Sequence, residues 1–167
     1  SKKALLKLLP ENSVLTPHPK ELERLLGSWK DDFDKLKKAK AFVKKHKLVL
    51  VIKGANTIVV FQDKLYINTT GNPGLATAGS GDVLTGIITG LISQGYDAIV
   101  AAIFGVYLHG RSADIALEDF GYQSLIASHV IDYLGEAYID LFKKPEQPPQ
   151  EQPEEKDQKG TDEEMYI

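Results

Sequence analysis

The chain has 167 residues, 43% of them hydrophobic, which is enough for one domain with a real core and too little for two full-sized ones. It holds no cysteine, which excludes a disulfide framework and a thiolate zinc site and fits a reducing, cytoplasmic setting. The net charge of −3 is uneven: residues 143–167 carry four lysines against eight acidic residues, while the rest is nearly neutral and has no basic footprint for nucleic acid.

No uninterrupted apolar run approaches the length of a membrane span. The first apolar stretch is cut by Lys7 and Pro10, unlike a signal peptide. Residues 1–9 read as the end of a short helix and Ser13–Thr16 as a short strand running into Pro17-His18-Pro19. Lys20–Leu26 reads as a helical turn or two, opened by Pro19 and stopped by Gly27. Asp31–His46 has Phe33, Leu36, Ala39, Phe42 and Val43 at helical spacing, with a lysine-rich face that is expected to be solvated. Leu48–Ile52 is a continuous apolar run, as expected of a strand buried on both faces in a parallel sheet. After the turn at Lys53–Asn56, Thr57–Phe61 and Lys64–Asn68 flank Gln62-Asp63 and predict a hairpin.

Gly71–Gly81 reads as a loop. Asp82–Ser93 and Ala98–Leu117 read as helices rich in small and apolar residues, and Leu125–Phe142 as one last amphipathic helix. Beyond it, residues 143–167 hold four prolines and four glutamines among many charges, too polar to offset their own ordering entropy. The expected organisation is a domain over 1–142 and a disordered acidic tail over 143–167. Strands that precede helices predict an α/β sheet covered on its faces, and with four visible strands the N-terminal side looks incomplete.

Gly71–Gly86 (GNPGLATAGSGDVLTG) carries the strongest chemical signal. Eleven of its sixteen residues are Gly, Ala, Ser, Thr or Pro, and a helix follows, so backbone N–H groups can approach an anion at a helix N-terminus. Gly79, Ser80 and Gly81 are the candidate phosphate hole. Asp82 is placed either to take a proton from a substrate hydroxyl or simply to favour the helix end, and the residues alone leave both open. The pattern is neither a Walker A loop nor the dinucleotide fingerprint.

Two further segments stand at strand ends, where ligands gather in α/β sheets. Lys53, Gly54, Ala55, Asn56 and Thr57 suit either a nucleotide site or an ordinary turn with an extended lysine. His18, held between prolines and followed by Glu21, suits either a ligand donor or a structural one. His109 reads as a packing residue, and His46 and His129 as surface positions. No His/Asp/Glu cluster has metal-ligand spacing, and no serine sits in a nucleophile elbow.

In this order, Thr16-Pro17-His18-Pro19 with Glu21, Lys53–Thr57, Gly71–Gly86 and Gly105–Gly110 (GVYLHG) resemble the C-terminal half of the ADP- or ATP-dependent NAD(P)H-hydrate dehydratases. The resemblance covers residues 12–118 and is looser to 142. It implies a ribokinase-like three-layer α/β/α fold, incomplete at its N-terminal side. It implies repair of hydrated NADH or NADPH: phosphorylation of the ring hydroxyl by ADP or ATP with Mg2+, then loss of phosphate. By resemblance Asp82 is the base, and Gly79, Ser80 and Gly81 hold the phosphoryl group. Lys53–Thr57 and Gly81 line the nucleotide site, and His18, Asn72 and Asp82 meet the hydrated cofactor. A homo-oligomer and an associated NAD(P)HX epimerase are the implied partners, without nucleic acid or membrane.

Two residues depart from the family pattern: Lys20 stands where Gly is usual and Leu75 where Met is usual. Leu75 is close in volume, whereas Lys20 denies its loop the backbone freedom of glycine. The missing upstream strands imply an incomplete substrate pocket and little activity in the isolated chain. A ribokinase-superfamily small-molecule kinase and a non-catalytic nucleotide-binding fragment are the competing expectations.

Overall fold

The apolar run at Val49–Ile52 forms β2, every residue of which is buried. Successive side chains on a strand point to opposite faces, so a strand buried along its whole length requires cover on both. Val49 and Val51 pack with Leu84, Leu91, Ala101 and Val106, whereas Leu50 and Ile52 pack with Leu22, Ala39, Phe42 and Val43. The computed structural model describes residues 2–143 and shows three layers. Helices α1 (Pro19–Leu26) and α2 (Asp32–His46) lie on one face, with α3 (Ser80–Ser93) and α4 (Ala98–Ser124) on the other.

The sheet has the order β1-β2-β3-β4, from Val14–Leu15, Val49–Ile52, Ile58–Phe61 and Lys64–Ile67. β2 runs parallel to β1 but antiparallel to β3, so the expected parallel sheet is in fact mixed. The reason is the short connection: Lys53–Thr57 leaves no room for a crossover helix, and parallel strands need one. β3 and β4 pair as the expected hairpin, Phe61 opposite Lys64, with Gln62 in the left-handed region at φ 52°.

The helices differ from expectation in their ends. α3 starts at Ser80, two residues early, so Asp82 is its third residue. α4 continues past Leu117 to Ser124, with a break at Gly121 (φ 65°). By length and composition α4 is apolar enough to cross a membrane, yet half of that stretch is buried inside the fold. The single helix expected over Leu125–Phe142 is two, α5 (Ala127–Asp132) and α6 (Leu134–Asp140), divided at Tyr133 (φ −92°, ψ 8°). Each half answers a different contact. Val130 of α5 joins a cluster with Ala113, Ala116 and Leu125, whereas α6 buries Ala137 in the main core and sets Asp140 2.6 Å from Arg111. The Tyr133 hydroxyl donates to Asp119 at the bend. The first element, Lys2–Leu8, is a 3-10 helix. Except for Lys143, the expected tail lies outside the described residues.

One contact fixes the loop before α3 against α4. A Cβ on Gly110 would lie 2.3 Å from Thr70 Oγ1 and 2.7 Å from the Thr70 carbonyl, so only glycine fits where this loop crosses α4. Thr70 Oγ1 there donates to the Tyr107 carbonyl at 3.0 Å. Gly110→Ala should destabilise the protein by about 1–3 kcal/mol, as overpacking does. Urea denaturation reads this, and an unchanged midpoint would show that the loop yields freely.

Candidate functional site at the start of helix α3

The loop enters α3 through Gly79, whose φ of 84° suits a residue without Cβ. The Gly79 carbonyl accepts the N–H groups of both Asp82 and Val83 at 3.0 Å. The Gly81 N–H has no backbone acceptor among the described residues. It is one of the unpaired donors that every helix start offers, together with a partial positive charge.

Lys53 leaves the end of β2 and reaches this turn. Its Nζ lies 3.0 Å from where a Cβ of Gly81 would be. An ammonium, a free N–H and a helix N-terminus thus meet at one place, the combination that holds phosphate. Any side chain at position 81 would displace the lysine.

The third segment arrives through Thr16. Its Oγ1 is 3.2 Å from Thr85 Oγ1, one turn along α3 from Asp82. Thr85 also donates to the Gly81 carbonyl at 3.0 Å. All three sequence segments therefore converge on the first two turns of α3. Asp82 itself is exposed, and its carboxylate makes no hydrogen bond or ion pair among the described residues. The helix is capped by backbone at Gly79, so the capping alternative for Asp82 has no bond to support it.

His18 is the N-cap of α1. Its Nδ1 accepts from the N–H of Lys20 at 3.2 Å and of Glu21 at 3.3 Å, and Glu21 Oε2 accepts from the His18 N–H at 2.9 Å. This reciprocal box uses one ring nitrogen for structure and leaves Nε2 3.5 Å from Glu21 Oε1. The bond from the His18 backbone N–H, with the nearby charges of Lys53 and Arg24, holds the Glu21 carboxyl below its ordinary range. Lys20, the departure from the family pattern, sits in the first turn of α1 with an ordinary helical role.

Asn72 is committed at both ends of its amide. Its Oδ1 accepts from Gly74 N–H and its Nδ2 donates to Asp114 Oδ1, each at 3.0 Å. Asp114 Oδ2 accepts the Gly71 N–H at 2.8 Å. The structure thus uses Asn72 to shape the loop. Of the nucleotide candidates, Gly54, Ala55 and Asn56 are exposed, while Thr57 pairs its carbonyl with Asn68 N–H.

Sequence reasoning missed Asp114 and the partner of His109. Asp114 lies three residues after Arg111 on one helix, which suggests a surface pair, but Arg111 bonds Asp140 instead. His109 is buried, with Nε2 2.9 Å from the Ser80 carbonyl and 3.1 Å from Ser80 Oγ. Burial lowers its pKa below the ordinary 6.5 and outweighs the opposing Ser80 bond, with a smaller push in the same direction from Lys53. His46 and His129 are half-buried against Phe42 and Phe120 rather than free at the surface.

Of two open clefts, one of about 460 Å3 runs from Leu15 and Thr16 to Glu21 and Arg24, at the margin of this site. The larger, about 610 Å3 between Leu6, Leu25 and Phe42, is away from it. Among the described residues no group of three His, Asp or Glu side chains is placed to hold a metal ion.

A family model described as NAD(P)H-hydrate dehydratase matches residues 1–136. The chain belongs to this family. It is 49% identical over 124 residues to the bifunctional NAD(P)H-hydrate repair enzyme Nnr of Moorella thermoacetica, a match covering 72% of this chain and 23% of that protein. It is 43% identical over 114 residues to the ADP-dependent (S)-NAD(P)H-hydrate dehydratase of Neisseria meningitidis serogroup B, covering 66% of this chain and 38% of that one. The fold superposes on the Bacillus subtilis ADP/ATP-dependent NAD(P)H-hydrate dehydratase co-crystallised with ATP/Mg2+, with a TM-score of 0.72 and 32% identity over 79% of this chain and 50% of that one. The chain thus spans about half or less of the length of the dehydratases it matches. The fold is ribokinase-like.

Two predictions follow the geometry. Asp114→Ala leaves the Gly71 N–H and the Asn72 amide without their charged acceptor, and should cost about 1.5–3 kcal/mol in a denaturant titration. A loss near zero would show that water replaces the carboxylate. Because His109 titrates below 6.5 when folded, the unfolded chain takes the proton first as the pH falls. Its contribution to stability is complete above about pH 6.5 and is lost as the pH drops through and below that value. His109→Gln should flatten this part of the curve, and an unaltered pH slope in the variant would refute the assignment.

Proposed function

We propose that this chain supplies the phosphoryl-handling part of an ADP-dependent NAD(P)H-hydrate dehydratase, a lyase that returns hydrated NADH or NADPH to the active cofactor. The observation that carries the reading is the meeting of Lys53, the Gly81 N–H and the unpartnered Asp82 at the start of α3. Family membership and the dehydratase names of the relatives support it.

In this reading Asp82 accepts the proton of the ring hydroxyl as its oxygen attacks the terminal phosphorus of ADP. The bond to the bridging oxygen breaks and AMP leaves. Lys53 and the backbone N–H groups of Gly79–Gly81 balance the charge that gathers on the phosphoryl oxygens. The phosphorylated ring then expels phosphate as the neighbouring ring carbon gives up a proton to solvent water, and the C–H electron pair restores the double bond. His18, fixed as the cap of α1, positions the hydrated ring through its exposed Nε2 edge, exchanging the long 3.5 Å contact with Glu21 for one with the substrate. Thr57 and the exposed turn at Gly54–Asn56 border the rest of the nucleotide.

Magnesium would arrive on the nucleotide. The donor set fits this role: such an ion is held by phosphates, waters and one or two carboxylates rather than by a protein cage, and Asp82 is a carboxylate without a partner in the site. When bound, the ion neutralises phosphate charge. A homo-oligomer, a cytoplasmic setting and an accompanying NAD(P)HX epimerase belong to the same proposal, the last supported by the bifunctional repair enzymes among the relatives.

Calorimetric titration with AMP, ADP and ATP in magnesium, beside turnover of hydrated NADH, tests the reading. ADP should bind saturably, and Asp82→Asn should lower turnover by about 10²-fold or more while ADP binding survives. A folded chain that ignores millimolar nucleotide would overturn the assignment for this chain. Unchanged turnover in the variant would remove Asp82 from the chemistry, and accumulation of a stable phosphorylated product would favour a kinase.

A further inference from the structure

Ser80 opens α3 between two glycines. Gly79 and Gly81 have no side chains with which to anchor themselves, so the turn that carries the anion site hangs on Ser80. Ser80 is 5% exposed and turns its hydroxyl inward to His109 of α4. The His109 Nε2 is 2.9 Å from the Ser80 carbonyl and 3.1 Å from its Oγ. A carbonyl oxygen only accepts, so Nε2 carries the proton, and one N–H is shared by two oxygens of the same residue. His109 is itself 8% exposed, which keeps water from replacing it.

The connection continues outward. The Gly79 carbonyl, on the other side of Ser80, organises the Asp82 and Val83 N–H groups. A Ser80 free to rotate would release the Gly79 carbonyl, tilt the Gly81 N–H and swing Asp82. We propose that His109 is a positioning residue for phosphoryl transfer: by holding both oxygens of Ser80 it aims the Gly81 N–H and the Asp82 carboxylate at the reacting groups. The inference rests on the dehydratase reading for its reaction, but its structural half stands on the Ser80 bonds alone.

Three forms of the full chain test it: wild type, His109→Leu, which fills the space without a donor, and His109→Gln, whose amide restores an N–H near the same place. Hydrogen exchange at the Asp82 and Val83 amides is read beside turnover with ADP and hydrated NADH. In His109→Leu these amides should exchange about tenfold faster than in wild type while β2 and the middle of α4 keep their protection. Its kcat should fall about 10- to 100-fold, as misplacement of reacting groups does, with the KM for ADP within about threefold. His109→Gln should restore both. Faster exchange spread evenly over α3, α4 and β2 would make His109 a packing residue and overturn the proposal, as would full kcat in the leucine variant or failure of glutamine to rescue. A wild-type chain with little turnover is the outcome expected of an incomplete substrate pocket, and exchange at Asp82 and Val83 then decides by itself what His109 holds.

Discussion

β2 is buried along its whole length, and both faces of the sheet answer to it. Val49 and Val51 need α3 and α4, and Leu50 and Ile52 need α1 and α2. With helices on both sides, the chain can leave the strand only at its carboxyl end, and Lys53 is the first residue there. Its long apolar stem bridges from the core to the α3 turn while the ammonium stays at the surface of the site. The position of the positive charge is therefore a consequence of core packing.

The proposed anion site has little charge of its own beyond that lysine. Its other donors are backbone N–H groups, which are aimed by the fold and need no reorganisation when an anion enters. Backbone donors have a cost: the loop must bring main chain close to other elements, at Gly81 against Lys53 and at Gly110 against Thr70. Small residues there are demanded by distance. The polar side chains nearby then serve the loop: Asn72 and Asp114 hold its start, and Ser80 and His109 hold its end.

Much of this was legible in the sequence, for identifiable reasons. The run Leu48–Ile52 and the hairpin around Gln62-Asp63 are local patterns, and the small-residue block Gly71–Gly86 announces close backbone approach whatever it approaches. The mixed sheet was legible in principle, because five residues between β2 and β3 forbid a crossover, but the apolar run spoke louder. The division at Tyr133 was not legible. Leu125–Phe142 has helical periodicity throughout, and the break arises because Val130 and Ala137 pack against different parts of α4. Nor does a sequence show that Asp114 bonds Gly71, 43 residues upstream, instead of its own helix neighbour Arg111.

His18 and His109 show why residue type alone could not assign the site. Both are histidines near small residues, and both turn out to hold a helix start. His18 does so at the surface, where its Nδ1 caps α1 and its Nε2 faces only the exposed Glu21 carboxylate at 3.5 Å. His109 does so in the interior, where its Nε2 donor is spent on Ser80. The difference is burial, and burial decides what each can do: an exposed imidazole can exchange partners with a substrate, whereas a buried neutral one can only keep the partner it has. The helix starts they secure are joined through Thr16 and Thr85, so the rigidity of each cap reaches the other. The site is held as two capped helices braced at one point, with the Asp82 carboxylate unbonded among the described residues.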